Sequence, residues 1–179
     1  SRFMGLRGIA NGVVAFKDVM VPVDNLIGKP GEGLKIALAT LNVGRLGIPA
    51  AAIGGGMALV EDAKWWTSTR QQWGQPVGKH QAVAKMSANY MAQLFAMKAM
   101  VYVACAFADH KNADIRLEAA AAKYWCSETL WKMYDDYLQV RGGRGYENAR
   151  SLYERGERPT AVEMGLRDAW SSGAGLRAS

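Results

Sequence analysis

The run LQVRGGRGYE, Leu138 to Glu147, concentrates the chain's chemistry: three glycines and two arginines follow a segment that reads as a long helix. Two readings stay open. Glycine just past a helix end is the commonest C-terminal cap, because it adopts the left-handed conformation at little cost. The same residues could instead hold something anionic. Metal and thiol chemistry are thinly represented. Cys105 and Cys126 stand far apart, with no second pair or histidine at metal-ligand spacing. They read as buried thiols of a reducing compartment rather than a disulfide framework or a zinc site.

A net charge of +6 and a pI near 9.4 raise a nucleic-acid reading. The basic residues are scattered and acids interrupt them, as in ERGERP and DHKNADIRLE. A basic arm would be a continuous block or stripe. The excess suits a phosphate-rich small molecule instead, and no salt-dependent shift of a nucleic acid is expected. At 179 residues, half apolar and 21% charged, the chain reads as one globular domain, or one domain with a remnant of another. No apolar run reads as long and charge-free enough to span a bilayer. The start, SRFMGLRG, lacks the apolar region of a secretory signal.

These residues need a scaffold, and its pattern is mostly helical. Gly12 to Val19 reads as a strand from its β-branched alternation. A lone strand has no ladder partners, which suggests a larger β domain. From Gly33 to about Trp66, Leu34, Leu38, Leu41, Ile48, Ala52, Met57, Leu59 and Ala63 recur at helical steps. This helix contains Gly44, Gly47, Pro49 and the triplet Gly54–Gly55–Gly56. Each interior glycine costs about 1 kcal/mol and a proline more. Their presence predicts a kink, or close approach by another backbone or a ligand. STRQQWGQPVGKH breaks the pattern. A second helix is predicted from about Lys79 to Ala108, with Met86, Tyr90, Met91, Leu94, Met97, Val101 and Ala104 inward. A third is predicted from about Ile115 to Val140, with Ala119, Ala122, Tyr124, Leu130, Met133, Tyr134 and Leu138 inward. The predicted fold is all-α, an up-and-down bundle with a short N-terminal strand remnant. It needs a fourth helix, for which RPTAVEMGLRDAW is short.

Four blocks carry a resemblance. GVVAFKDVMVPVDNLIGKPGEG is similar to the last strand and linker before the C-terminal helical domain of the acyl-CoA dehydrogenases. LNVGRLGIPAAAIGGG resembles the start of that domain's first helix, TRQQWGQPVGKHQAV its arginine–aromatic loop, and AAAAKYWCSETLWKMYDDYLQVRGGRGYE its third helix and glycine end. Order and spacing match to Ala169, and the wording is nearest the very-long-chain branch and its bacterial relatives. The resemblance implies a division into 1–28 (end of a β domain and linker), 29–169 (helical bundle) and 170–179 (an atypical tail). It also implies FAD as cofactor, its adenosine diphosphate end held by the helical domain of a neighbouring subunit. The implied contacts fall on Arg70, Gln72, Trp73, His80, Gln139, Gly142 and Gly143. A guanidinium pairs with a diphosphate in a planar, bidentate way, glycines let N–H groups approach phosphate oxygens, and Trp73 offers an aromatic face. His80 reads equally as a helix-start residue without a ligand. Arg45 is implied on the acyl-binding side, or else in an ion pair with Asp168 or Glu163.

The implied reaction removes the α and β hydrogens of a fatty acyl-CoA, with electrons passing to an electron-transferring flavoprotein. The implied assembly is a homodimer or homotetramer, and the implied compartment the bacterial cytoplasm or the mitochondrial matrix. The catalytic base departs from the family. In one branch it precedes the arginine matching Arg45, where this chain has Gly44; in the main branch it falls where this chain has Leu176. No acid follows Asp168, so Trp170 to Ser179 reads as a foreign end with little helical pattern. The expectation is a chain without dehydrogenase activity of its own, with weak or no flavin binding and a large exposed apolar patch. A non-catalytic assembly module, and the related acyl-CoA oxidases and flavin monooxygenases, are the alternatives.

Overall fold

The computed structural model describes residues 1–110 and 113–177, and the side chains of all of these except 42, 43 and 171–177. Three long helices form the body: α1 (Gly33–Thr69), α2 (Gln81–Asp109) and α3 (Arg116–Arg141). An antiparallel hairpin, β1 (Gln71–Gln72) and β2 (Gln75–Pro76), joins α1 to α2. A short helix α4 (Ala149–Glu154) and a longer α5 (Val162–Arg177) follow α3. α3 occupies the middle, packed against α1, α2 and α5. The expected all-α bundle is the observed one, and α5 supplies its fourth helix.

Helical periodicity builds the core. Tyr90, Leu94, Met97, Val101 and Ala104 bury one face of α2, and Ala119, Ala122, Cys126, Leu130, Met133 and Tyr137 one face of α3. Burying a large apolar side chain contributes about 1.5–3 kcal/mol. Met91 and Tyr124, expected inward, are exposed. Each sits a single residue from a different face, and 100° of rotation carries it off the contact stripe. Leu34, Leu38 and Leu41 are also exposed, because the bundle covers α1 only from about Pro49 and Ala52 onward.

The α1 glycines divide into two groups. A Cβ on Gly55 would lie 3.2 Å from Leu130 Cδ2, and one on Gly56 3.2 Å from Leu94 Cδ1. Gly44, Gly47 and Gly54 face open space. The close approach is therefore made by side chains of α2 and α3, not by another backbone.

Three expectations are corrected. Gly12 to Val19 forms no strand; with no partner ladder it runs as irregular chain, and Val13 and Phe16 are exposed. The stretch from Trp170 continues α5 to Arg177. It contains no proline to stop the helix, and the Trp131 and Trp170 rings meet at 6.2 Å where α5 docks on α3. By length and composition α1 and α2 each hold a segment apolar enough to cross a membrane. Alanine, leucine, isoleucine, valine and methionine between the charges lift their hydropathy, and core helices of a bundle pass the same test.

At the N-terminus, the Leu6 N–H donates to Asp168 Oδ1 at 2.7 Å, tying the first residues to α5.

Candidate functional site

The chain reverses sharply after α1. The Arg70 N–H donates to the Trp66 carbonyl (2.9 Å), and the Val77 N–H donates to the Arg70 carbonyl (2.8 Å), closing the hairpin. Its two central residues, Trp73 and Gly74, have φ of 50° and 76°. Two positive φ values match the twist that a two-residue hairpin requires. For tryptophan the left-handed region costs about 1–2 kcal/mol, and such outliers gather at functional sites. The turn leaves Trp73 86% exposed and edge-on to His80, ring centroids 5.4 Å apart. His80 Nδ1 meets Gln75 Nε2 and His80 Nε2 meets the Gln72 carbonyl, both at 3.3 Å. The tautomer that satisfies both carries its proton on Nε2 and accepts at Nδ1.

The opposite wall is the end of α3. Gly142 stops that helix with φ of 61°, and a tight turn over Gly142–Gly145 follows. A Cβ at Gly145 would lie 2.5 Å from the Leu138 carbonyl oxygen, so only glycine fits.

The two walls enclose a cleft of about 660 Å³. Arg70, Gln72, Trp73 and His80 line it from the hairpin side, and Gln139, Gly142 and Gly143 from the helix end. All seven expected cofactor contacts thus converge, although chain positions 70 and 139 are far apart. Among the described residues, no aspartate or glutamate lines the cleft. Arg70 takes part in none of the ion pairs among the described residues; its guanidinium lies 5.8 Å from the Trp66 ring centroid. An exposed cation, aromatic faces and glycine N–H groups without acids suit an anionic, ring-bearing ligand. The glycine run is thus a helix stop and, in the same residues, a wall of the cleft.

Sequence reasoning missed the floor. Trp66 and Arg141 line the cleft as well, and both are buried. The Arg141 guanidinium lies 4.5 Å from the Trp66 ring centroid. Its Nη1 donates to Asp62 Oδ2 at 3.0 Å, and the Tyr137 hydroxyl donates to the same oxygen at 2.7 Å. Burial first, and this bond to Asp62 second, push the Tyr137 phenol far above its ordinary range. Trp66 Nε1 donates to the Val140 carbonyl at 3.3 Å. Asp62 stands 79 positions from Arg141, a pairing with no local signal. Only the four-residue step from Tyr137 to Arg141 was legible.

The rim is an ion-pair lattice. Arg144 reaches Glu157 at 2.8 Å and Glu147 at 3.4 Å, and Arg155 also bonds Glu147. Hydrogen bonds from Arg155 first, then Ser151, hold the Glu147 carboxyl down at about 2. Arg45 lies half-buried on α1 and does not line this cleft. Gly44 lies on α1 facing open space, and Leu176 lies on α5 with its side chain outside the described residues. Glu163 pairs with Arg167. Among the described residues no cluster of histidine, cysteine or acid could hold a metal ion.

A family model described as the acyl-CoA dehydrogenase C-terminal domain matches residues 31–171. The chain belongs to the acyl-CoA dehydrogenases. The probable acyl-CoA dehydrogenase FadE10 of Mycobacterium tuberculosis is 51% identical over 168 residues, covering 94% of this chain and 26% of that protein. Subunit CarC of the caffeyl-CoA reductase–Etf complex of Acetobacterium woodii is 35% identical over 143 residues, covering 80% and 38%. The butyryl-CoA dehydrogenase structure from Megasphaera elsdenii superposes with a TM-score of 0.78 at 29% identity, over 92% of this chain and 43% of that one. This acyl-CoA dehydrogenase chain thus spans about a quarter of the length of the first curated relatives. It corresponds to their C-terminal helical domain, as the four sequence blocks implied.

Proposed function

We propose that this chain is the part of a flavin-dependent acyl-CoA dehydrogenase that receives the adenosine diphosphate end of FAD, presented by a neighbouring subunit. One observation carries the reading: the seven residues that resemblance selects, drawn from chain segments about 70 residues apart, line one acid-free cleft. In this reading Arg70 holds the diphosphate as a planar fork. The N–H groups of Gly142 and Gly143 close on phosphate oxygens, Gln72 and Gln139 supply amide contacts, and Trp73 covers an aromatic ring. His80 holds the hairpin against the α2 start through Gln72 and Gln75. Flavin held there would supply the hydride acceptor for the β carbon of the substrate. This chain's own residues bind and orient, and none of them supplies the base: Gly44 has no side chain for it and Leu176 no titratable group.

The wider assignment follows the same reading. The substrate class is a fatty acyl-CoA, with Arg45 on the acyl side. The electron acceptor is an electron-transferring flavoprotein, a reading supported by the Etf complex named for CarC. The assembly is a homodimer or homotetramer, as a cleft serving a neighbour's flavin requires. Residues 1–28 act as the end of a β domain and linker and 29–169 as the bundle, with the stretch from Trp170 to Arg177 belonging to α5 rather than to a separate tail. Relatives occur in bacteria and mitochondria, which supports a cytoplasmic or matrix location.

The test is equilibrium dialysis of the purified chain against FAD and against riboflavin, read by flavin absorbance. A cleft for the diphosphate end retains FAD in preference, and ADP displaces it. Equal uptake of riboflavin, or FAD that ADP leaves in place, would overturn the reading.

A further inference from the structure

Arg141 is an unusual occupant of a buried position. Its side chain is 2% exposed, yet it forms part of the cleft floor. It lies between the Trp66 ring at 4.5 Å and the Tyr137 ring at 5.9 Å. Among the described residues its Nη1 makes all of its hydrogen bonds, to Asp62 and Tyr137. Its Nε is buried with no partner. A guanidinium carries five donors in a fixed fork, so most of this fork has no protein acceptor.

Charge is unbalanced in the same place. Asp62 stands between Arg141 at 3.0 Å and Arg158 at 3.7 Å. One carboxylate faces two guanidiniums, so the Arg141 charge beneath the cleft is only partly compensated, Asp62 being shared with the half-exposed Arg158 outside the cleft lining. On the rim, Arg144 and Arg155 are balanced by Glu147 and Glu157. Arg70 adds a second charge at the mouth, from the hairpin side. Buried charges are costly unless paired and fully hydrogen-bonded. A ligand bringing two negative charges between mouth and floor would satisfy both.

We propose that Arg141 is a second binding cation of the cleft, meeting a diphosphate from the floor while Arg70 meets it from the mouth, with Asp62 as the competing partner that sets how strongly Arg141 engages. This rests on the diphosphate reading above and adds to it a residue and a regulator of affinity. Asp62 holds the guanidinium over Trp66 when the cleft is empty. A phosphate oxygen draws on the donors Asp62 leaves unused.

The test titrates the full chain with ADP and with adenosine by calorimetry, with circular dichroism confirming the fold of each variant. Arg141→Met, which keeps length and apolar bulk, is expected to weaken ADP about tenfold and to leave adenosine within about twofold. Asp62→Asn, which retains Arg141 and a neutral hydrogen-bonding group, is expected to tighten ADP severalfold without changing adenosine. A purely structural Arg141–Asp62 pair predicts the opposite: both variants weaken both ligands, or neither. If Arg70→Gln removes the preference for ADP and Arg141→Met retains it, this proposal falls and the diphosphate reading stands. If the unaltered chain binds ADP no better than adenosine, both fall. If Arg141→Met does not fold, the sign of the Asp62→Asn effect decides: weaker ADP binding overturns the proposal.

Discussion

Replacing each glycine of the α1 triplet by alanine, one at a time, separates helix propensity from packing within a single turn. Interior glycine costs a helix about 1 kcal/mol relative to alanine, so every substitution begins with that gain. At Gly54 the new methyl meets nothing within 4 Å, and the full gain of about 1 kcal/mol should appear. At Gly55 it meets Leu130 Cδ2 at 3.2 Å, with Cδ1 of the same residue at 3.5 Å. At Gly56 it meets Leu94 Cδ1 at 3.2 Å, with Met133 Cε at 3.7 Å behind it. Met133 is fully buried on α3 and Leu94 is buried on α2, so neither neighbour has room to retreat. Overpacking a tight core costs about 1–3 kcal/mol. Gly55→Ala and Gly56→Ala should therefore come out between neutral and about 2 kcal/mol destabilising. A domain of this size shifts its melting temperature by about 2–4 °C per kcal/mol. Thermal melts followed by circular dichroism should raise Tm by about 2–4 °C for Gly54→Ala, and lower or leave it for the other two. A gain at Gly55 or Gly56 equal to that at Gly54 would refute the reasoning, because it would mean α2 and α3 do not press on α1 there.

Three further outcomes follow from the same packing and ion pairs. Asp62→Ala strands the buried Arg141 charge and removes the Tyr137 acceptor; breaking such a pair costs about 3–5 kcal/mol, and urea titration should show the midpoint falling by at least about 1 M. Adding Arg141→Met to it should recover part of that loss, and a fully additive double variant would contradict the pairing. Burial pushes the Cys126 thiol up to about 11, and it is shielded where Cys105 is half-exposed. An aromatic disulfide at pH 8 should label one thiol per chain quickly and the second only on unfolding. Glu147 has its folded pKa depressed to about 2 by Arg155 and Ser151, so its contribution is complete above the unfolded value of about 4.3 and is lost as pH falls toward 2. Replacing it with glutamine should therefore flatten the acid limb of stability between about pH 4 and 2, with little change in slope above pH 5.

How much of this was legible depended on how far apart the partners lie. Helical periodicity is a local signal, and it located α1, α2 and α3 to within a few residues because Leu59, Met97 and Met133 recur with their own neighbours. The same signal placed Leu34 and Leu38 inward, since it reports an apolar face but not whether anything covers that face. The strand reading of Gly12 to Val19 failed for the complementary reason: propensity without a partner makes no ladder. The helix through Trp170 was missed because Ser, Gly and Ala lower the apolar pattern, whereas docking of Trp170 on Trp131 is a tertiary effect. At the cleft, the Gly142–Gly143 stop stood out by residue type, whereas Arg70 and Trp73 were selected by the family resemblance. Asp62 and Trp66 looked like ordinary helix residues and Arg141 stood out only as part of the glycine–arginine run; only packing α1 against α3 makes them a floor.

The cleft has no existence within any one element. Its mouth hangs from the end of α1 and the hairpin, its far wall from the end of α3, and the Trp66–Val140 and Arg141–Asp62 bonds stitch the two together. A nucleotide seated there would act as a clamp on the α1–α3 seam. Its free energy of binding would count wholly toward keeping the bundle shut, adding about 2.7 kcal/mol at a hundredfold excess over Kd. Occupancy and maturation of the fold would then be a single event: a chain whose long helices had formed but not yet met would have nothing to offer the ligand.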